Sequence, residues 1–276
     1  MEGRNFLQLL EGQWERGNFL CVGLDSDFEK IPEAARKGGV RETIVAFNRA
    51  MIDVTKEYVC AYKPNSAFYE VYGDEGWGAL RETIQYIHEQ VPEVPVILDA
   101  KRGDVGNTNE AYVRAVFNHL GADAVTVHPY FGSEALLPFF AREDKGVIVL
   151  CRSSNAGAGE IQDLTVDGEP VYRVVARLAS TKWNSKGNCC VMVGATYPEE
   201  LGQVRAIVGD MPILIPGIGA QNGDLEKTVK NGKDSRGRGI IICASRAVTF
   251  ASSGADYAEA AGRAAKDLHD AIKKAL

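Results

Sequence analysis

Val94-Pro95-Val96-Ile97-Leu98-Asp99-Ala100-Lys101-Arg102-Gly103-Asp104 starts as a short apolar, β-branched run and ends abruptly in charge. A run of that length without polar alternation suits a strand covered on both faces, as in a parallel sheet flanked by helices. Strand side chains alternate between faces, so Asp99 and Lys101 share one face at the strand's C-terminal end, with Asp104 just beyond it. Working outward, runs of the same kind predict eight strands, at 19–24, 58–62, 96–99, 124–127, 147–151, 189–193, 213–215 and 239–243. Between them, residues 41–56, 78–90, 107–120, 172–183 and 255–275 space apolar side chains at three and four, as amphipathic helices do. Eight alternating units predict an α/β fold, a (β/α)₈ TIM barrel of eight parallel strands in one domain spanning residues 1–276. An open doubly wound sheet has no preference for eight units and usually carries a Gly-rich turn after its first strand, whereas Leu24-Asp25-Ser26-Asp27 stands there in this chain. Residues 1–16 read as an extra N-terminal helix closing the lower mouth, and 155–168 as a long mobile loop of the kind that serves as a lid.

Composition narrows the function classes. At 45% hydrophobic and 25% charged residues, the 276-residue chain has ample material for a large core. A net charge of −6 and a pI near 5.4 argue against nucleic-acid or anionic-membrane partners, so an anionic ligand needs a local basic site. No stretch approaches the roughly 18 uninterrupted apolar residues of a membrane span, and no signal peptide is evident. Cys21, Cys60, Cys151, Cys189, Cys190 and Cys243 lie in apolar β-rich runs without CxxC spacing, which suits buried, reduced thiols in a cytoplasmic protein. No His/Cys/carboxylate set has metal-ligand spacing, and no cofactor is expected.

Barrel active sites lie where strands end. Asp25 ends the first strand and Lys63 the second, so two further charges would point to the mouth that Asp99 and Lys101 share. A salt bridge at the barrel rim is the plain alternative for one Asp-Lys pair, and a snorkelling lysine for Lys63. His128 reads as a packed structural histidine, because nothing at catalytic or ligand spacing accompanies it. After the seventh and eighth strands, Pro216-Gly217-Ile218-Gly219-Ala220-Gln221 and Ser245-Arg246 occupy the loops where barrels often hold phosphate. Glycines there let backbone N–H groups approach oxygens, and an arginine can grip two of them.

Taken together, Cys21-Val22-Gly23-Leu24-Asp25, Tyr62-Lys63-Pro64-Asn65, the Asp99 to Asp104 cluster, Cys151-Arg152-Ser153-Ser154-Asn155, Val193-Gly194-Ala195-Thr196, the 216–221 segment and Ser245-Arg246 resemble the orotidine 5′-monophosphate decarboxylase family, in its bacterial long-loop branch. The Asp-x-Lys-x-x-Asp element alone is less specific, since related barrels acting on sugar phosphates share it. The resemblance implies a cofactor-free carboxy-lyase converting orotidine 5′-monophosphate to UMP and CO₂, the last step of de novo pyrimidine nucleotide synthesis. It implies Lys101 as proton donor, with Asp99, Lys63 and the neighbouring subunit's Asp104 completing the catalytic set. Asp25 and Lys63 would hold the ribose, Ser154 the pyrimidine edge, and Gln221 and Arg246 the phosphate, with Pro216 and Ser245 beside the substrate. Val105 and Thr108 would join Asp104 in the neighbour's site, which makes a homodimer with shared active sites obligatory. The residues are compatible with that, because Asp104 lies beyond the strand end and Asn107 with Glu110 can cap the following helix and fix the loop. Two other readings stay open at this level: a Mg²⁺-dependent sugar-phosphate decarboxylase or aldolase, and a non-catalytic nucleotide-binding barrel.

Overall fold

A computed structural model of the chain describes residues 3–218 and 224–276. The eight runs form eight parallel strands: Leu20–Gly23, Val59–Lys63, Ile97–Arg102, Ala124–Val127, Gly146–Arg152, Cys189–Val193, Ile213–Pro216 and Ile240–Ala244. The first strand pairs with the second and the eighth, and the remaining neighbours pair in sequence from the third round to the eighth. The ring closes between the second and third strands through only two bridges, Tyr62 with Val96 and Asn65 with Asp99. Pro64 and Pro95 flank this seam and have no N–H to give it, but their carbonyls accept from Asp99 N at 2.9 Å and from Tyr62 N at 3.1 Å. The site residues of the second and third strands therefore stand on the two sides of a thin seam.

The third strand also departs from its other neighbour. Leu98 faces Val125 and Arg102 faces Val127, so residues 99–101 stand opposite Thr126 alone. A bulge of this kind interrupts the ladder and re-aims side chains, and bulges of this sort favour the surroundings of active sites.

The expected helices form as Val40–Thr55, Gly73–Gln90, Gly106–Val113, Val171–Leu178 and Tyr257–Ala275. Two of them continue into a wider-wound final turn, Arg114–His119 and Ala179–Trp183. Three further helices, Gly132–Phe140, Pro198–Val208 and Leu225–Gly232, complete the outer layer; the first carries Pro138 and the last is only 8 residues long, which blurs their periodicity. The N-terminal helix Phe6–Glu15 closes the lower mouth as expected. It buries Phe6, Leu10 and Trp14, and Trp14 Nε1 donates to the Ile240 carbonyl at 2.9 Å.

Two expectations need correction. Residues 155–168 are not structureless: they contain the turn Ala156–Ala158, the short helix Gly159–Gln162, and one arm of a hairpin formed by Thr165–Val166 and Glu169–Pro170. Asp167 and Gly168 both have positive φ, 52° and 79°, which a two-residue hairpin turn with the strands' own twist requires. Nor do Asn107 and Glu110 cap the helix after Asp104. That helix starts at Gly106 with Val105 at its cap and no side-chain cap bond, while buried Asn109 anchors the loop by donating to the carbonyls of Asp104 and Ala135, both at 2.6 Å. The six cysteines are free and buried, and among the described residues no helix is long and apolar enough to cross a membrane.

The lower mouth holds a buried charge cluster. Asp123 takes two hydrogen bonds from Arg4, at 2.8 and 2.9 Å, and one from Val96 N at 2.9 Å, with His88 at 3.5 Å and Lys145 at 3.8 Å. Burial would raise the Asp123 carboxyl, but His88 and Arg4 hold it well below the ordinary carboxylate range. A depressed folded-state value means the stabilisation is complete above the carboxyl's ordinary 3.8 and drains only as pH falls below it. Asp123→Asn should therefore lose about 3–5 kcal/mol in urea denaturation at neutral pH, because it strips buried cations of their counter-charge. The wild-type advantage should hold down to about pH 4 and narrow below; an advantage already gone by pH 5 would contradict this account.

Candidate active site

At the opposite mouth the strand ends converge on one cavity, lined by Asp25, Lys63 and Asp99 on one side and by Ser154, Pro216, Ser245 and Arg246 on the other. Lys63 ends the second strand with its side chain only 5% exposed, and its Nζ lies 3.1 Å from Asp99 Oδ2 and 3.8 Å from Asp25 Oδ1. Lys101 Nζ reaches the other oxygen, Asp99 Oδ1, at 2.7 Å, but its side chain is 47% exposed and stands at the rim. The four charges thus form a chain, Asp25 to Lys63 to Asp99 to Lys101. Burial would push the Asp99 carboxyl up, yet the charges of Lys63 and Lys101 and the hydrogen bonds from Lys101 and Thr126 hold it well below the ordinary carboxylate range. For Lys63, burial favours the neutral amine, and the neighbouring Cys243, Asp99 and Asp25 outweigh it and raise the pKa. Asp99 and Lys63 are consequently an ion pair at neutral pH.

Other expected residues fall into distinct groups. Ser245 lies directly over Gly23, where a Cβ would stand 1.9 Å from its Oγ, so the first strand needs glycine there for the eighth-strand loop to reach the cavity. Arg246 is exposed at the cavity edge, and among the described residues no carboxylate pairs with it. Gln221 lies outside the described residues. Asp104 is not brought to Lys101 by any ion pair among the described residues; its Oδ1 accepts the Val105 N–H at 2.7 Å. Val105 is 50% exposed and Thr108 half-buried on the next helix. His128 packs on Gly103, its Nε2 lying 3.1 Å from the Gly103 carbonyl, in keeping with a structural role.

Some contributors escape sequence reasoning. Thr126 donates to Asp99 Oδ1 at 2.9 Å, and its signal was a single hydroxyl in the otherwise apolar strand Ala124–Val127. Arg152, fully buried, stacks 3.9 Å above the Tyr197 ring and reaches Gln162 Oε1 at 3.2 Å and Asp163 Oδ2 at 3.1 Å. Gln162 in turn accepts from Ser153 N and donates to Ser153 Oγ, at 2.9 and 2.8 Å. The segment after Ser154 is thereby tied down on the turn that presents Ser154 to the cavity.

The model of the orotidine 5′-phosphate decarboxylase / HUMPS family matches residues 18–261. This chain belongs to that family. It is 48% identical over 272 residues to the orotidine 5′-phosphate decarboxylase of Cellvibrio japonicus, covering 98% of this chain and 99% of that one. The enzyme of the same name from Ralstonia pickettii is 49% identical over 270 residues, covering 98% of each chain. Among solved structures, the OMP decarboxylase of Leishmania donovani superposes with a TM-score of 0.84 at 38% identity, over 99% of this chain and 100% of that chain. The UMP synthase of the same organism superposes with a TM-score of 0.86 at 39% identity, and this chain spans 57% of its length. The family's two-sided description matches the ambiguity of the Asp-x-Lys-x-x-Asp element, whereas the full-length relatives at nearly half identity carry one name.

The tie between Gln162 and Ser153 has a measurable consequence. Gln162→Ala removes three hydrogen bonds, together about 1–3 kcal/mol. Amide exchange across 153–163, tracked by mass spectrometry, should quicken roughly fivefold to a hundredfold, and unchanged exchange would show that Gln162 holds nothing.

Proposed function

We propose that this protein decarboxylates orotidine 5′-monophosphate to UMP and CO₂, closing de novo pyrimidine nucleotide synthesis in the cytoplasm. The observation that carries the reading is the alternating charge chain at the barrel mouth, with a buried ion pair at its centre and an accessible lysine at its end. Full-length relatives named for this activity support it. The buried, free cysteines suit a reducing compartment.

The reaction breaks the bond between C6 of the pyrimidine and its carboxylate, CO₂ leaves, and the electron pair stays on C6 in an sp² orbital outside the ring's π system. Stabilisation must then be electrostatic. Lys101 is the group placed for it: its ammonium faces the developing charge and afterwards gives C6 a proton, ending as the neutral amine. Asp99 keeps the lysines oriented, and as a fixed anion it repels the substrate carboxylate until that group departs as neutral CO₂. Asp25 and Lys63 hold the ribose, Ser154 the pyrimidine edge, Pro216 and Ser245 line the pocket, and Arg246 with Gln221 takes the phosphate. Phosphate binding far from C6 then contributes to the rate by holding the ring against Lys101. The ammonium supplies the positive charge that a metal would otherwise bring, so no metal is invoked. Incubating the purified protein with orotidine 5′-monophosphate in EDTA should give the ultraviolet change of UMP formation. A flat trace, or turnover only on adding Mg²⁺, would favour the sugar-phosphate chemistry of the same family.

The partner in this reading is a second copy of the chain. Asp104 forms no ion pair among the described residues, and Val105, Tyr130, Phe131 and Leu137 leave apolar surface exposed on this flank of the barrel. An isologous dimer would cover such surface and bring the partner subunit's Asp104, Val105 and Thr108 to each site reciprocally. Hybrids of two inactive chains, Lys101→Ala and Asp104→Ala, decide the matter. Sharing across the interface leaves one intact site per hybrid and should recover up to about half of the wild-type activity per dimer. Verified hybrids as inactive as their parents would show that Asp104 serves its own subunit.

A further inference from the structure

Lys101 is one of only two non-glycine residues with positive φ among the described residues, at 44°. A side chain in that region is strained and stays there only where its surroundings fix it. The ladder cannot do so, because residues 99–101 bulge away from the fourth strand. Packing cannot either, since the Lys101 side chain is half exposed. What remains is Thr126, fully buried in the fourth strand. Its Oγ accepts the Lys101 backbone N–H at 2.9 Å and donates to Asp99 Oδ1 at 2.9 Å, the same oxygen that Lys101 Nζ reaches at 2.7 Å. A hydroxyl has one proton and two lone pairs, so it serves both partners at once. One oxygen thus fixes the lysine at its backbone and, through Asp99, at its tip.

We propose that Thr126 is a positioning residue for the proton donor: its hydroxyl holds Lys101 in the left-handed conformation and Asp99 in the orientation that together aim the ammonium. The assignment rests on the decarboxylase reading for its kinetic consequences, but not for its structural ones. Valine matches threonine in shape without a donor or acceptor, and serine keeps the hydroxyl without the methyl. A misplacement of about 1 Å at a reacting group costs on the order of 100-fold, so Thr126→Val should lower kcat by roughly 10- to 100-fold. KM should stay within about twofold of wild type, because Thr126 touches none of the groups assigned to binding the ribose, base or phosphate. UMP affinity by calorimetry should likewise be unchanged, and Thr126→Ser should recover most of the rate. In the crystal structure of Thr126→Val, residue 101 should leave the positive-φ region or its Nζ should leave Asp99.

A Thr126→Val enzyme with kcat within twofold of wild type would overturn the proposal. So would a Thr126→Ser enzyme as slow as the valine variant, which would assign the effect to packing of the methyl group. An unchanged φ and an unchanged Lys101–Asp99 contact in Thr126→Val would overturn it whatever the rate. Should the valine variant not fold, Thr126→Ala replaces it in every comparison. Wild-type protein without turnover of orotidine 5′-monophosphate would sink the decarboxylase reading alone, and the crystal structures would still decide whether Thr126 holds Lys101.

Discussion

A buried carboxylate carries the upper half of this molecule. Asp99 is only 8% exposed at the point where the barrel closes, and an unpaired anion there would cost several kcal/mol. Lys63, Lys101, Thr126 and, at 3.4 Å, Asn65 all donate to it, so both of its oxygens are occupied. The seam between the second and third strands has few backbone hydrogen bonds, and the Lys63–Asp99 ion pair crosses it. Fold and chemistry meet in that pair: the contact that joins the strands also sets the charge at the mouth.

The two lysines on Asp99 have the same chemistry and unequal surroundings. Lys63 is enclosed between two carboxylates, and its raised pKa makes it a poor source of protons. Among the described residues Lys101 has one carboxylate partner, with half its side chain in the open and a backbone held out of the ladder. The enclosed lysine suits binding and structural charge, and the accessible one suits proton transfer. The third strand can present Lys101 this way because it is fastened at both ends. Asp123 accepts from Val96 N and its own N–H donates to the Val96 carbonyl at 2.8 Å, below the bulge, while Asp99 is fixed above it.

The fold was legible because a closed parallel barrel buries its strands on both faces, and burial leaves an apolar run in the sequence. All eight runs became strands, most within a residue or two of the expected limits, although the third strand extends to Arg102. Charges at strand ends were legible for the same reason: Asp25, Lys63, Asp99 and Lys101 interrupt apolar runs, and the structure brings all four together. Contacts that depend on the chain folding back were not legible. Nothing in the spacing of Arg152 from Gln162 and Asp163 announces their pairing, which needs the short helix Gly159–Gln162 to lie against the fifth-strand loop. The Asp167-Gly168 hairpin was readable as a turn dipeptide, but the composition of 155–168 pointed to a loop. Asn109 outcompeted Asn107 and Glu110 because its position on the helix lets one amide reach two carbonyls.

The charge balance also bears on how an acidic protein would take the anionic nucleotide proposed as its substrate. The chain carries a net −6, yet the mouth gathers Lys63, Lys101 and Arg246 against Asp25 and Asp99, leaving one positive charge in excess. The excess is unevenly placed. Arg246 stands exposed at the cavity edge with no ion pair to a carboxylate among the described residues, so its charge is left for an anionic ligand. Asp99 stands beside Lys101, so a second anionic group held near the lysine meets repulsion as well as attraction. In the proposed reaction a substrate anchored by its phosphate is thereby made to place its carboxylate beside Asp99. In that reaction loss of CO₂ would remove the repelled charge and leave the attracted one on carbon, next to the ammonium. In the proposed mechanism the same pair of residues opposes the bound carboxylate and favours the carbanion that replaces it, and this requires Lys101 and Asp99 to stay in contact throughout.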